Sequence, residues 1–456
     1  MWLFSARHRL YLARRHLIDF MSGSGMIRRK FLRHSLELAT AATVAGCGGR
    51  TESSRGQQIT FGSYADPSLD VLKDVFLPEF EKATGIRTEW VEADFSGWLQ
   101  KALNDGQTKA GAFDVYVMDD LWVPRFAGAG YLANLDEIGF PIDGDFVKTA
   151  LDLGYWPPKV GLRQPGIDPK AKSTLFALPL ISDVQLLYYR NDIYTAGCPA
   201  TWDEVLRVAR EKSDPARRQY GWVTRGVKGN PVMNSFFVFL HDFGGDIFGE
   251  NWKVVFNSPQ AVEALEFFLK LLNYAPQGTA EFDSDQEGAT LLQGNAFAAT
   301  IWTGWCAQVD DPKMSRVVRK INFDVPPKKV NRVAKLGLFM AGIASSAPNQ
   351  RGALEFLKWF SSPPVQLRFA RAGGTPFRTS AFDDDEARKK CRWLEAILKA
   401  LNCGVASPRT SDWSKVEDIL GTELNKALLD RGNARQHLDA AAAEATAFLK
   451  SAGYPV

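Results

Sequence analysis

Between residues 58 and 119 the hydrophobic period of the chain switches repeatedly, and this alternation restricts the fold more than any other feature. "QITFGSY" (58–64) reads as a short strand. "LDVLKDVFLPEFEKATG" (69–85) sets Leu69, Leu72, Phe76 and Phe80 on one side of a helix that Gly85 would cap. "IRTEWVEA" (86–93) is a second strand and "FSGWLQKALNDG" (95–106) a second helix. "FDVYVMD" (113–119) is a strand apolar on both faces. Strand, helix, strand, helix, strand predicts an α/β fold, with a mostly parallel sheet covered by helices.

The pattern restarts at "LFALPLISDVQLLYYR" (175–190). "PATWDEVLRVAR" (199–210) opens on a capping box, in which Thr201 caps the helix and Glu204 reaches back. "NSPQAVEALEFFLKLLNY" (257–274) has Asn257 or Ser258 at the cap and Pro259 in the first turn. "GNAFAATIW" (294–302) and "KLGLFMAGIASS" (335–346) are apolar strands. A helix, "NQRGALEFLKWFSS", follows, and several more are expected from Asp384 onward. A segment of about 400 residues exceeds one comfortable core, so two domains are expected. There is no heptad array and no solenoid period.

Residues 28–49, "RRKFLRHSLELATAATVAGCGG", do not belong to that globule. The apolar stretch from Leu36 to Gly46 contains Glu37 and falls short of the roughly 20 apolar residues of a membrane span. A basic front, a short apolar middle and a small-residue exit are the layout of an export signal. Arg28-Arg29 resembles a twin-arginine signal. Val44-Ala45-Gly46-Cys47 looks like a lipobox, with Cys47 as the lipidated residue. Translation is expected to begin at Met26 or Met21, which mass spectrometry of the unprocessed precursor would settle. Residues 48–57 read as a solvated tether.

The leader also skews the charge. Residues 1–46 hold eight of the 55 Lys and Arg and two of the 52 Asp and Glu, so the remainder carries 47 basic and 50 acidic groups and its net charge is −3 rather than +3. That remainder has no basic excess for a nucleic-acid partner. Three of the five histidines lie in the leader, leaving His241 and His437. This is little material for a histidine-rich metal site or a histidine nucleophile relay, and no metal or cofactor is expected. Beyond Cys47 there are Cys198, Cys306, Cys391 and Cys403, which allow three pairings. In an oxidising compartment Cys391 and Cys403, close in sequence, are the candidate disulfide, the alternative being two buried thiols on a helical hairpin.

Six phrases carry a family resemblance: "PEFEKATGI", "FDVYVMDDLWVPRFAGAGYLANLDE", "LPLISDVQLLYYRNDIYTAGCPATWDEV", "LLQGNAFAATIWTGW", "GLFMAGIASSAPNQRGALEFLKWFSSPPVQ" and "AGGTPFRTS". They come in one order and span nearly all of residues 58–456. They resemble the extracellular solute-binding proteins of bacterial ABC sugar importers, the maltose-binding-protein-like group (solute-binding protein family 1). The resemblance implies a periplasmic-binding-protein-like type II fold, two discontinuous α/β lobes with a ligand cleft between them. Lobe 1 would comprise 58–180 and 330–374, and lobe 2 would comprise 181–329 and 375–456. The chain would cross near 179–186, 325–336 and 373–378, forming a hinge. The implied function is capture of a sugar, short oligosaccharide or polyol by closure, then delivery to the permease subunits of the importer. The implied setting is the periplasm, as a monomer touching the membrane only through a lipid on Cys47.

Sugar recognition needs carboxylates and amides for hydroxyls and flat aromatic rings for the faces of pyranose rings. Asp119, Asp120 and Trp122 follow a strand, where ligands of open α/β sheets lie; one of the aspartates is expected to cap a helix instead. Asp183 interrupts an apolar crossing strand, where a charge is costly unless paired or wet, so it binds ligand or forms a hinge ion pair. Trp302 and Trp305 follow "NAFAATI", for stacking or inter-lobe packing. Tyr64 and Asp66 sit in the first strand-to-helix loop. Asn234, Trp413 and, at the third crossing, Gly374, Thr375 and Arg378 complete the ligand-binding candidates, with a salt bridge as the alternative for Arg378. No catalytic residue is expected. An exported glycoside hydrolase would use Asp119 with Asp183, but no G-x-S-x-G elbow occurs. A non-transport sugar sensor is the other alternative. The loop "VMDDLW" lacks the basic neighbour of the maltose receptors, so maltose itself is not the expected ligand.

Overall fold

The computed structural model describes residues 57–456. The export signal, Cys47 and most of the tether lie outside the described residues. The principal elements are β1 (Gln58–Tyr64), α1 (Leu77–Thr84), β2 (Arg87–Ala93), α2 (Phe95–Thr108), β3 (Val115–Asp119), β4 (Leu178–Ile181), β5 (Gln185–Arg190), α3 (Trp202–Lys212), α4 (Asn230–Asp242), α5 (Pro259–Leu271), α6 (Ser284–Leu292), β6 (Ala298–Trp302), β7 (Ile321–Asp324), β8 (Ala334–Lys335), β9 (Phe339–Ile343), α7 (Gln350–Phe360), α8 (Pro363–Ala372), α9 (Leu394–Cys403), β10 (Gly404–Val405), α10 (Trp413–Asp430) and α11 (Ala434–Ser451).

One sheet has the order β2-β1-β3-β9-β4 and a second the order β6-β5-β7. In the first, β1 runs parallel to β2 and β3, whereas β9 runs antiparallel to β3 and β4. All pairings of the second are antiparallel. The expectation of a mostly parallel sheet therefore holds for the first three strands and fails beyond them. The reason is the connection. β9 returns from the second sheet instead of through a covering helix, and so enters from the opposite end.

The local signals place the elements well. Gly85 caps α1 in the left-handed region, at φ 75°. Ser258 caps α5, its hydroxyl accepting from Ala261 N, with Pro259 in the first turn. Thr201 caps α3, accepting from Glu204 N at 3.2 Å, while the Glu204 carboxylate accepts from Ala200 N at 2.7 Å, one residue before the expected partner. Gly62, inside β1, is required by packing: a Cβ there would lie 2.0 Å from the Trp98 ring, and the buried Trp98 donates to Val117 O at 2.7 Å. That contact clamps α2 onto the sheet.

The path between the sheets positions the site. β4 belongs to the first sheet and β5 to the second, so the chain passes between them in Ser182-Asp183-Val184. It returns between β7 and β9. The crossings touch: Val184 bridges to Leu336, Gly337 N donates to Asp183 O at 3.1 Å, and Ser182 N donates to Thr375 O at 3.1 Å. Such a bundle of irregular backbone is the part of the molecule that can absorb torsional change.

The expected disulfide is not formed; Cys391 and Cys403 are free thiols. Cys391 precedes α9 and Cys403 is its last residue. Ten helical residues extend about 15 Å, whereas bonded cysteines need Cα atoms within about 7 Å. Cys391 Sγ instead meets Ala370 O and Cys403 Sγ meets Ala400 O. No helix among the described residues is long and apolar enough to cross a membrane.

Candidate functional site

The carboxyl ends of β1 and β3 carry Tyr64 and Asp119, and that of β6 carries Trp302. The first two face the third across the crossing segment that holds Asp183. Asp66 caps the turn after β1, accepting from Ser68 N at 2.8 Å. Asp119 caps the turn after β3 through Leu121 N. Asp120 is fully buried and pairs with Arg409, whose Nη1 donates to its backbone O at 2.6 Å and lies 3.3 Å from its Oδ2. Asp119 is thus the capping member of the pair and Asp120 the ion-paired one. Trp122 is buried against Phe95 and Tyr64, with ring centroids at 4.8 and 5.8 Å.

Asp183 is buried and accepts from Thr303 N at 2.9 Å and from the Thr303 hydroxyl. It thereby ties the crossing segment to the loop after β6. Its carboxyl is pushed up to about 8, first by burial and then by Asp66. The Asp119 carboxyl is raised by burial and by Asp120. The Tyr64 hydroxyl is raised by burial and by Asp119, Asp66 and Asp183, so these four groups share one electrostatic environment.

Five ionisable residues that sequence reasoning missed join them. Arg225 is buried, lies 3.9 Å from Asp283 and 5.7 Å from the Trp302 ring centroid, and its Nη2 has no partner. Beside it Glu287, on α6, has neither carboxyl oxygen paired and is raised to about 8 by burial. Glu417, on α10, accepts from Asn230 at 3.0 Å and is raised to about 7 by burial. Lys335 is buried, donating to Leu336 O and to Ser407 Oγ at 2.9 Å, and burial lowers it. Arg409 is the fifth. The isolated Arg225 in "WVTRGV" gave no signal. Lys335 did, as a charge opening an apolar strand. Glu417 did too, one turn after Trp413 on the apolar stripe of α10.

The remaining candidates divide. Trp305 is half-buried, packs on Gly288 and donates to Ser284 Oγ at 3.2 Å. Trp302 packs on Gly337. Trp413 is fully buried at the start of α10, beside Glu417. Asn234 is buried one turn into α4. Thr375, at the crossing, has an unpaired buried hydroxyl. Gly374 is taken up by packing, since a Cβ there would meet the Phe369 ring at 2.3 Å. Arg378 stands apart from the acidic group. Its guanidinium pairs with Asp143 at 2.7 Å and Asp145 at 3.4 Å, donates to Ser361 O and stacks on Phe146 at 4.1 Å. Its Nε and Nη1 donors are thus directed away from the acidic group.

The junction therefore collects six carboxyl groups (Asp66, Asp119, Asp120, Asp183, Glu287, Glu417) against three cations. Ser68 Oγ, Asp120 Oδ1, Ser182 Oγ, Gln185 Oε1, Thr300 Oγ1 and Thr375 Oγ1 are buried there without partners, as are the Glu287 oxygens. Buried polar atoms are normally paired; a cluster of exceptions at strand ends is what a site for a hydroxyl-rich molecule requires. Among the described residues no group of three or more His, Cys, Asp and Glu is disposed to hold a metal ion.

Two sheets joined by crossing strands, with polar groups converging between them, define a two-lobed binding protein of type II periplasmic topology. The family model of the bacterial extracellular solute-binding protein matches residues 65–367, and the chain belongs to that family. A Sinorhizobium fredii protein named a probable amino-acid ABC transporter periplasmic-binding protein is 26% identical over 439 residues, covering 94% of this chain and 98% of its own. The mannitol-binding protein of Pseudomonas aeruginosa is 24% identical over 405 residues, 82% of this chain and 89% of its own. The crystal structure of an ABC transporter solute-binding protein from Agrobacterium radiobacter in complex with ribitol superposes with a TM-score of 0.75 at 26% identity, covering 86% of this chain and 99% of that one.

Proposed function

We propose that this chain is the extracytoplasmic receptor of an ABC importer for a polyol or a small sugar. It binds the solute at the acidic junction, closes over it and delivers it to the permease. The observation that carries the reading is the group of buried, unpaired carboxyl and hydroxyl oxygens around Asp183 and Glu287. Neutral hydroxyls can satisfy those acceptors, and the free Nη2 of Arg225 can donate to a hydroxyl oxygen. The names of the P. aeruginosa relative and of the ribitol complex support the same class. An amino-acid ligand, suggested by the name of the S. fredii relative, is the competing class, and the screen below decides between the two.

In this reading lobe 1 is 58–180 with 330–374 and lobe 2 is 181–329 with 375–456. Tyr64, Asp66, Asp119, Asp183, Trp302, Trp305 and Trp413 contact the solute, and Asp120, Asn234, Trp122 and Thr375 shape the wall. The receptor has no catalytic activity. It is exported through its twin-arginine signal, anchored as a monomer by lipid on Cys47, and works in the periplasm. The test is a thermal-shift and calorimetric screen of ribitol, mannitol, maltose and a set of amino acids. A polyol or sugar at 100-fold excess over its Kd should add about 2.7 kcal/mol of stability. Binding of an amino acid alone would overturn the ligand class, and turnover of an oligosaccharide would overturn the receptor reading.

A further inference from the structure

The loop 157–173 joins two short strands, Tyr155–Trp156 and Thr174–Leu175, which pair antiparallel, so its ends meet. Its roots belong with the first sheet: Leu135 N donates to Leu175 O at 2.8 Å, and Ala133 N to Ile343 O of β9 at 2.9 Å. Loops without regular structure are uncommon beyond about 12–15 residues and are then usually functional or disordered. This one is ordered by its own contacts. Arg163 Nη1 donates to Pro169 O at 3.0 Å and to Ala171 O at 2.7 Å, and Asp168 accepts from Lys170 N at 2.8 Å. Pro157, Pro158, Pro165 and Pro169 fix four of its φ angles.

The tip reaches the other side of the molecule. Gln164 Oε1 accepts from Ser411 N at 2.9 Å, with the hydroxyls of Thr410 and Ser411 at 3.1 and 3.0 Å. A backbone N–H can only donate, so Ser411 fixes which end of the amide faces it. One residue earlier, Arg163 O accepts from Trp252 Nε1 at 3.0 Å. Thr410 and Ser411 directly precede α10, which packs on α4, and Trp252 lies between α4 and α5. These partners are firmly held. Thr410 is buried, its hydroxyl also meets that of Tyr454, and Tyr454 donates to Asp412 at 2.8 Å. The Trp252 ring sits edge-to-face with Phe248 and Tyr454, at 5.2 and 5.1 Å. Asn251 and Trp252 have φ of 54° and 66°, a conformation that residues other than glycine keep only where their surroundings impose it. The join itself is not packed. A hollow of about 290 Å³ separates Gln164, Ile167 and Pro169 from Asn251, Trp252 and Pro455. Hydrogen bonds across unfilled space exchange with water at small net free energy, so this contact can open without exposing a core.

We propose that the loop 157–173 is a strap whose Gln164 latches onto Thr410 and Ser411, holding the two lobes together and slowing the release of solute. The inference rests on the receptor reading and its lobes, in which the strap belongs to lobe 1 and its partners to lobe 2. Because the strap is already ordered, latching immobilises little that was free. Gln164 is a positioning residue: it acts through the lobes and not on the solute.

The test uses the full mature chain and needs two measurements. Gln164→Met keeps the length of the side chain and removes its acceptor. In the unliganded protein this variant should exchange the Ser411 amide hydrogen at least fivefold faster than the native chain, with an unchanged melting temperature. Equal exchange would overturn the latch. With ribitol or mannitol as the solute, stopped-flow fluorescence should show release at least threefold faster in Gln164→Met and association within twofold of native. Trp252→Phe, which keeps a ring and removes the indole N–H, should act in the same direction. Lys172→Ala, at an exposed position of the strap, should leave both rates unchanged. An unaltered release rate from Gln164→Met, while the native chain binds the polyol, would overturn the proposal. A native chain that binds neither polyol would instead count against the solute class, and the exchange measurement would still decide the latch.

Discussion

Glu287 shows what the junction costs the fold. Its carboxyl is buried, unpaired and raised to about 8, and Asp183 is raised to a similar value, both chiefly by burial. In the unfolded chain such groups titrate near 4. Because the folded values are higher, the native state holds more protons between pH 4 and 8, and stability falls as pH rises through that window. The melting temperature of the unliganded protein should therefore drop from pH 5 to pH 8.5. Glu287→Gln, which cannot ionise, should flatten that slope and melt higher than the native chain at pH 8, as differential scanning calorimetry would read. At the same scale, Asp183→Asn should lower solute affinity at least tenfold, about 1.4 kcal/mol, because the amide cannot accept equally from Thr303 and a hydroxyl. Calorimetric titration checks it, and an unchanged Kd would remove Asp183 from the site. Asp183 was legible in the sequence because a charge inside an apolar strand demands a reason. Arg225 was not, because an arginine in a loop is usually solvated and only the fold shows it buried beside Glu287.

At the scale of elements, local chemistry carried the reading and long-range pairing escaped it. Capping residues and hydrophobic period located β1, α2, α5 and the C-terminal end of α1 closely, since those signals act within a few residues, whereas the first half of the expected 69–85 helix is built of a 3-10 turn (Pro67–Leu69) and a π turn (Leu72–Phe76). The reversal of β9 and the separation of Cys391 from Cys403 by α9 depend on where distant segments meet. The tryptophans depend on element packing in the same way. Trp305 is held by α6, where Gly288 offers the only side-chain-free surface its ring could press on: a Cβ there would lie 2.4 Å from the Trp305 ring. Gly288→Ala should displace the ring, cost about 1–3 kcal/mol by overpacking, and weaken solute binding if Trp305 stacks on it. Thr290→Ala, at a half-buried position on the same helix, is the control. A Gly288→Ala protein with native affinity would show that Trp305 is structural only.

At the scale of the molecule, the two sheets meet through their loops. The turn after β1 touches the loop after β6, although each belongs to a different sheet. A Cβ built on Gly304 would stand 3.8 Å from Ser68 Cβ and 2.5 Å from its hydroxyl. That Cβ separation lies within the range of about 3.5–4.5 Å that a disulfide needs. Opening of the lobes about the crossings at Ser182–Val184 would separate the two positions. The double variant Ser68→Cys, Gly304→Cys should therefore crosslink only in the closed state, and bound solute should accelerate oxidation by raising the closed population. The four native thiols of the described region are buried or half-buried, so peptide mapping would resolve the new bond. Once formed, it should trap solute, slowing its release by more than an order of magnitude until reductant is added. Oxidation at the same rate with and without solute would mean that the contact is permanent and the lobes do not swing. The receptor mechanism would then have to work without closure.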